Sequence, residues 1–254
     1  VNYDEKFAYN IYIEEDFSKL SEAIQMLELN KVKYCIVSDT NVSSIYKKEL
    51  ELILSEFSDN VVNINFTAGE ASKNLDTVNL IYKFLIDNKF DRNDILVALG
   101  GGVVGDLCGY VAACYMRGVR FIQIPSSLLA QADSSIGGKT GVDFMSYKNI
   151  IGAFHMPSLV YTNISTLKTL CNNEFSSGMA EIIKAAIIKD DSFFDVLEKK
   201  ADKIKSKDSA ACMDMLFKAD AIKKAVVEED PREKGVRALL NFGHTLGHAI
   251  EKEL

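Results

Sequence analysis

The run Asp94-Ile-Leu-Val-Ala-Leu-Gly-Gly-Gly-Val-Val-Gly-Asp106 narrows the choice of fold more than any other stretch of the chain. Its apolar residues follow one another without alternation, which fits a strand covered on both faces, as in a parallel sheet sandwiched between helices. That strand runs straight into Gly100, Gly102 and Gly105 at G-x-G-x-x-G spacing and then into a small-residue helix, Leu107 to Met116. Glycines there let a backbone approach a pyrophosphate, and a helix amino terminus supplies N–H donors with a favourable dipole. The same spacing also suits a purely structural turn. It departs from the usual dinucleotide fingerprint in sitting on a later strand and in having no acid about twenty residues on to hold a ribose. Asp39, at an earlier strand end, is the candidate to take the ribose instead.

The surroundings read as alternating strands and helices. Tyr9–Ile13 and Lys33–Asp39 are strands around a helix over Ser18–Leu29. The polar tip Asp39-Thr-Asn41 lies where open α/β sheets place ligands, although Asp39 also suits the cap of the next helix. Val61–Phe66 leads into Gly69-Glu-Ala-Ser-Lys73 and a helix with Leu75, Val78, Tyr82, Leu85 and Ile86 on one side. Phe121–Ser127 and Leu159–Asn163 are further strands. Between them Gly137-Gly-Lys-Thr140 resembles part of a phosphate-binding loop but lacks the preceding glycine segment, which makes a poor case for an ATPase. Lys139, Lys148 and Asn149 in that loop are either a local anion site or a solvated surface. From Glu174 onward helical periodicity takes over, with helices over Glu174–Lys189, Phe193–Ile204 and Ala210–Glu229, the last broken by Asp230-Pro231. Glu181 and Lys184 there read as an i,i+3 ion pair. The expectation is a doubly wound α/β domain over 1–166 and an all-helical domain over 167–254.

A net charge of -7 and a pI near 5.1 exclude a generic nucleic-acid face. The five cysteines are scattered and form no CxxC, which points to a reducing, cytoplasmic compartment. No secretory leader and no membrane-spanning run is expected. Val1 in place of methionine suggests a trimmed start. Near the other end, His244 and His248 stand four apart in Asn241-Phe-Gly-His-Thr-Leu-Gly-His-Ala-Ile-Glu251. On one helix they share a face, where they suit a divalent ion, a substrate or a plain polar surface; without the internal glutamate this is no metalloprotease signature.

Taken together, Gly100–Asp106, Tyr115-Met-Arg-Gly-Val119, Ile124–Val142, Ser177-Gly-Met-Ala-Glu-Ile-Ile-Lys184 and Leu240–Glu251 resemble, in order, the motifs of the 3-dehydroquinate synthase family of the shikimate pathway. The resemblance implies an amino-terminal NAD-binding domain, a carboxyl-terminal helical metal-binding domain, a cleft between them and a homodimer. It implies a carbon–oxygen lyase that converts 3-deoxy-D-arabino-heptulosonate 7-phosphate into 3-dehydroquinate and phosphate with NAD+ and zinc or cobalt. Glu181 and His244 become metal ligands, which displaces the ion-pair reading of Glu181. The family's third ligand is a later histidine; none follows His248 and the chain stops at Leu254, so a truncated helical domain is expected. His248 resembles a catalytic, substrate-facing histidine. Lys139, Asn149 and Asn241 match phosphate contacts, Lys223 and Arg237 carboxylate contacts, Asp133 and Lys184 groups around the substrate hydroxyls. Arg117 resembles the arginine that reaches the partner subunit's site. Asp39, Asn41, Glu70, Lys73, Gly102, Asp106, Ser126, Ser127 and Lys148 match NAD-binding positions, with serines where the family often has threonines.

Three other readings remain. A glycerol-dehydrogenase-like enzyme shares the glycine turn but has no need of a phosphate loop. Other sugar-phosphate cyclases act on substrates without a carboxylate, so Lys223 and Arg237 discriminate against them. An inactive NAD-binding fragment is the third.

Overall fold

The computed structural model describes residues 1–29, 31–244, 246, 247 and 250. After the short antiparallel pair β1 (Asn2–Tyr3) and β2 (Lys6–Phe7), the strand β3 (Asn10–Glu14) and helix α1 (Leu20–Gln25) lead into an α/β unit. It consists of β4 (Tyr34–Asp39), α2 (Thr40–Leu54), β5 (Val61–Phe66), α3 (Leu75–Asp87), β6 (Ile95–Gly100), α4 (Gly102–Cys114) and β7 (Arg120–Pro125). A hairpin of β8 (Lys139–Phe144) and β9 (Tyr147–Phe154) follows, then β10 (Leu159–Asn163). Four helices come next: α5 (Asn172–Lys189), α6 (Asp191–Lys199), α7 (Ala201–Lys205) and α8 (Ser209–Glu229). Among the described residues no helix is long and apolar enough to cross a membrane.

Six strands form one sheet in the order β3-β10-β7-β6-β4-β5, every neighbouring pair parallel. β4 and β6, the uninterrupted apolar runs, are inner strands, as are β7 and β10, because a strand without polar alternation has no face to offer to water. One face is covered by Val78, Ile81, Leu85, Val104, Leu107 and Val111 of α3 and α4, the other by Leu20, Ile24, Leu50 and Leu54 of α1 and α2. The chain leaves β4 for β5 on one side and returns to β6 on the other, so the strand order reverses between β4 and β6. Open α/β sheets bind ligands outside the carboxyl ends of strands at such a reversal. A third core, with Phe175, Ile182, Phe193, Leu197, Cys212 and Leu216, holds the helical layer together.

The structure departs from the periodicity reading in four places. Helix α4 starts at Gly102, five residues earlier than expected, because the glycines are its first turns rather than a loop before it. They let it lie flat: a Cβ on Gly109 would meet Thr140 Cγ2 at 2.4 Å and Phe121 Cζ at 3.2 Å. The helix expected over Phe193–Ile204 is two, separated at Lys200. Lys139, Lys148 and Asn149 do not share one loop; the first opens β8 and the others lie on β9, in an antiparallel hairpin apart from the main sheet. Asn241 closes a 3-10 turn over Val236–Asn241, and Gly243, at φ 83, separates it from the helical residue His244. A left-handed φ costs glycine little, and it ends any continuous helix from Asn241.

Candidate active site

Two cavities meet at the carboxyl edge of the sheet. The larger, about 720 Å³, lies at the strand-order reversal between Asp39 at the end of β4 and Gly101 after β6. Asp39 fulfils the capping reading: its Oδ1 accepts from the N–H groups of Asn41 and Val42, at 2.8 and 2.9 Å. Gly101 precedes α4 without any capping side chain, so the amino terminus of that helix has no internal acceptor of its own. Here the glycines work by close approach. A Cβ would reach Ser127 Oγ from Gly101 at 3.4 Å and Ser134 Oγ from Gly102 at 3.2 Å, narrowing the cavity; from Gly105 it would reach Gln123 Oε1 of β7 at 2.8 Å, so that the glutamine side chain would have to give way. Close approach to a ligand and close helix–strand packing are two of the tasks glycine has in a dinucleotide turn. Asp39, Asn41, Glu70, Lys73, Gly102, Asp106, Ser126 and Ser127 all line this cavity.

The smaller cavity, about 440 Å³, lies between the hairpin and the helical layer. Asp106 and Ser134 line both. In the dividing wall Lys73 is 5% exposed, its Nζ 2.6 Å from Asp106 Oδ2 and 2.5 Å from Asn149 Oδ1. Burial pushes the Asp106 carboxyl up to about 6 against the pull of Lys73.

Helices α5 and α8, the segment 130–134 and the 236–241 turn deliver the rest. Lys223 is bonded to the side chain of Asp133 and donates to its backbone oxygen at 2.6 Å. Burial alone would raise the Asp133 carboxyl, but Lys223, with help from Lys184 and Lys139, holds it below the usual range. Burial lowers the Lys223 ammonium. Arg237, 2% exposed, donates to the carbonyl oxygens of Pro231 and Gly137 at 2.7 and 3.2 Å. Lys139 pairs with Glu233, which also accepts from Asn241 Nδ2 at 2.9 Å. Burial works against the ionised Glu233, and those two bonds overcome it, leaving its pKa lowered.

Glu181 Oε1 stands 3.6 Å from His244 Nε2, while Lys184 binds the other carboxylate oxygen and lies 3.3 Å from the same imidazole nitrogen. A carboxylate and an imidazole brought together around a cation are donors that suit zinc or cobalt. Among the described residues no group of three or more His, Cys, Asp or Glu side chains gathers around such a point.

Asp133, Lys139, Asn149, Glu181, Lys184, Lys223, Arg237, Asn241 and His244 thus share one cavity. Lys148 and Arg117 line neither; Arg117 is exposed at the end of a 3-10 turn, at φ 66. The expectation for Lys148 rests on the resemblance and on a loop shared with Asn149; on β9 the two are successive residues, which face opposite sides of a strand. His248 lies outside the described residues. The sequence reading missed Glu233. Only the fold brings it against Lys139, ninety-four positions earlier.

The chain matches the families described as 3-dehydroquinate synthase N-terminal, over residues 63–177, and 3-dehydroquinate synthase C-terminal, over 178–254. It is 47% identical to the 3-dehydroquinate synthase of Acetivibrio thermocellus over 244 residues, which is 96% of this chain and 68% of that one. Among solved structures it is similar to a 2-epi-5-epi-valiolone synthase from Streptomyces hygroscopicus with NAD+ and Zn2+ bound, at TM-score 0.85 and 27% identity over 96% of this chain and 68% of that one. A 2-deoxy-scyllo-inosose synthase complexed with carbaglucose-6-phosphate, NAD+ and Co2+ gives 0.84 and 25%, over 96% and 66%.

Proposed function

The chain belongs to the 3-dehydroquinate synthase family, and from that premise we propose that it converts 3-deoxy-D-arabino-heptulosonate 7-phosphate into 3-dehydroquinate and phosphate, as a carbon–oxygen lyase of the shikimate pathway. One observation carries the choice of substrate: the cavity beside the glycine-lined one is lined by two sets of anion-binding groups, Lys139 with Asn149 and Asn241, and Lys223 with Arg237. A substrate with a phosphate at one end and a carboxylate at the other satisfies both. A phosphate without a carboxylate would leave Lys223 on Asp133 and Arg237 on the Pro231 and Gly137 carbonyls, and would gain nothing from either cation.

The division of labour is an NAD-binding domain over 1–166 and a metal-binding helical domain over 167–254. Asp39, Asn41, Glu70, Lys73, Gly102, Asp106, Ser126 and Ser127 hold NAD+, a fit supported by the close approach at Gly101 and Gly102. Glu181 and His244 hold the divalent metal, zinc or cobalt, in the place where Lys184 now bridges them. When bound, NAD+ supplies a hydride acceptor and the metal a Lewis acid toward a substrate hydroxyl.

The protein's own groups prepare the exchange. Without substrate each anion-binding lysine rests on an internal carboxylate: Lys139 on Glu233, Lys223 on Asp133, Lys184 on Glu181. The substrate phosphate displaces Glu233 from Lys139 and Asn241. Its carboxylate displaces Asp133 from Lys223, and the freed Asp133 accepts a hydrogen bond from a substrate hydroxyl, so that binding one end prepares the contact in the middle. A substrate phosphate oxygen takes the proton as phosphate leaves. His248 faces the substrate, Lys148 extends the cofactor contacts, and Arg117 reaches the partner's site in a cytoplasmic homodimer.

The test is phosphate release from 3-deoxy-D-arabino-heptulosonate 7-phosphate with NAD+ and Zn2+ or Co2+ supplied. Release that needs both, with His244→Ala losing metal affinity and His248→Ala losing turnover, is expected. Binding of NAD+ and metal without release, or faster release from sedoheptulose 7-phosphate, would overturn it.

A further inference from the structure

We propose that Lys73 is a positioning residue for the phosphate site, fixing through its ammonium the way the Asn149 amide faces. This rests on the phosphate reading of the Lys139 cavity. Lys73 belongs to the loop that lines the cofactor cavity, yet its Nζ also lies 2.5 Å from Asn149 Oδ1, which lines the other cavity. Lysine has three donors and no acceptor, so only the oxygen end of an amide can face it. The NH2 end of Asn149 is thereby left for the cavity, as a donor to an anion. Were the amide reversed, it would offer an oxygen to a phosphate and a donor to an ammonium, two repulsive contacts in place of two attractive ones.

The backbone is held in the same way. The Lys73 carbonyl oxygen accepts from Asp143 N–H at 2.8 Å, and Asp143 Oδ1 accepts from Asn149 N–H at 2.7 Å. Asn149 adopts φ 54, a left-handed conformation that asparagine tolerates and that here is gripped at both the amide nitrogen and the side chain. Asp106, 2.6 Å from the same Nζ, holds the ammonium in place. A residue that only contacted the cofactor would need none of these bonds to the hairpin.

Titration of inorganic phosphate into the NAD-free protein separates the two roles. Lys73→Met and Asn149→Ala are each expected to raise the phosphate Kd about tenfold, the scale of one charge-assisted hydrogen bond. The double variant should lose no more than Asn149→Ala alone, because Lys73 acts through Asn149. Lys73→Gln, which keeps a donor without the charge, should recover most of the affinity. Asn149→Ala preserves the Lys73–Asp106 pair, so it guards against a trivial folding defect, and urea midpoints check both variants. An unchanged phosphate Kd in Lys73→Met beside a weakened Asn149→Ala overturns the positioning role while leaving the phosphate site intact. Additive losses in the double variant overturn it as well. Absence of phosphate binding by the unmodified protein overturns both this inference and the phosphate reading beneath it.

Discussion

Substituting Gly178 by alanine tests how tightly the two halves of the site are held. Gly178 lies on the buried face of α5, where that helix crosses the segment leading to Asp133. A Cβ there would lie 2.6 Å from Leu129 N, 2.7 Å from Leu128 Cβ and 2.8 Å from the Leu128 carbonyl carbon, where ordinary contact begins at 3.4 Å. Two of these atoms are backbone, so no side chain can swing aside; the helix must back away by about 1 Å. Overpacking of this kind costs about 1–3 kcal/mol, and alanine's better helix propensity returns about 1 kcal/mol, for a net loss of up to about 2 kcal/mol. The effect on turnover should be larger in proportion. Helix α5 carries Glu181 and Lys184 while the opposing segment carries Asp133, and a misplacement of about 1 Å between reacting groups costs about a hundredfold in rate. Urea unfolding and steady-state phosphate release measure the two effects. Ser177→Ala, one position earlier and exposed, is the control and should stay within about 0.5 kcal/mol. If Gly178→Ala matches that control in both assays, the close crossing of α5 over residues 128–129 is refuted.

Two further predictions follow from single groups. The Asp106 carboxyl, raised from 3.8 to about 6, binds its proton more tightly folded than unfolded, so it contributes stability that is present below about pH 4 and lost as pH rises through about 6. The full amount is about 3 kcal/mol, trimmed to about 2 kcal/mol by solvent at a side chain 21% exposed. Relative to Asp106→Asn the protein should lose that much between those pH values in urea unfolding, and parallel pH curves would refute it. Tyr9→Phe removes the hydroxyl that accepts from Gly137 N–H at 3.0 Å in a buried setting, and should cost about 1–3 kcal/mol without shifting NAD+ affinity. A change in NAD+ binding with stability intact would contradict that placement.

Much of the fold was legible from short stretches. The limits of β5, β10 and α8 agree with the sequence reading within one residue, because apolar runs and the Asp230-Pro231 break are local signals. Glycines misled it: in Gly102–Gly109 they permit a helix to lie flat, whereas propensity alone reads them as a loop. The same residues show why a spacing is not yet a site. G-x-G-x-x-G became informative once β6 was seen to be an inner strand beside the reversal of order.

The sequence by itself determined the alternation of strands and helices, the glycine turn and the residue types that resemblance singled out, since these depend on neighbours a few positions away. Tertiary structure alone decided that Lys73 touches Asn149, that Glu233 holds Lys139, and that Asp220 is buried with both oxygens unpartnered and its carboxyl pushed well above the usual range. It also decided that Lys148 and Arg117 stay out of both cavities. Such contacts join positions many tens of residues apart, and no local pattern encodes them; they exist only once the sheet has set where each loop ends.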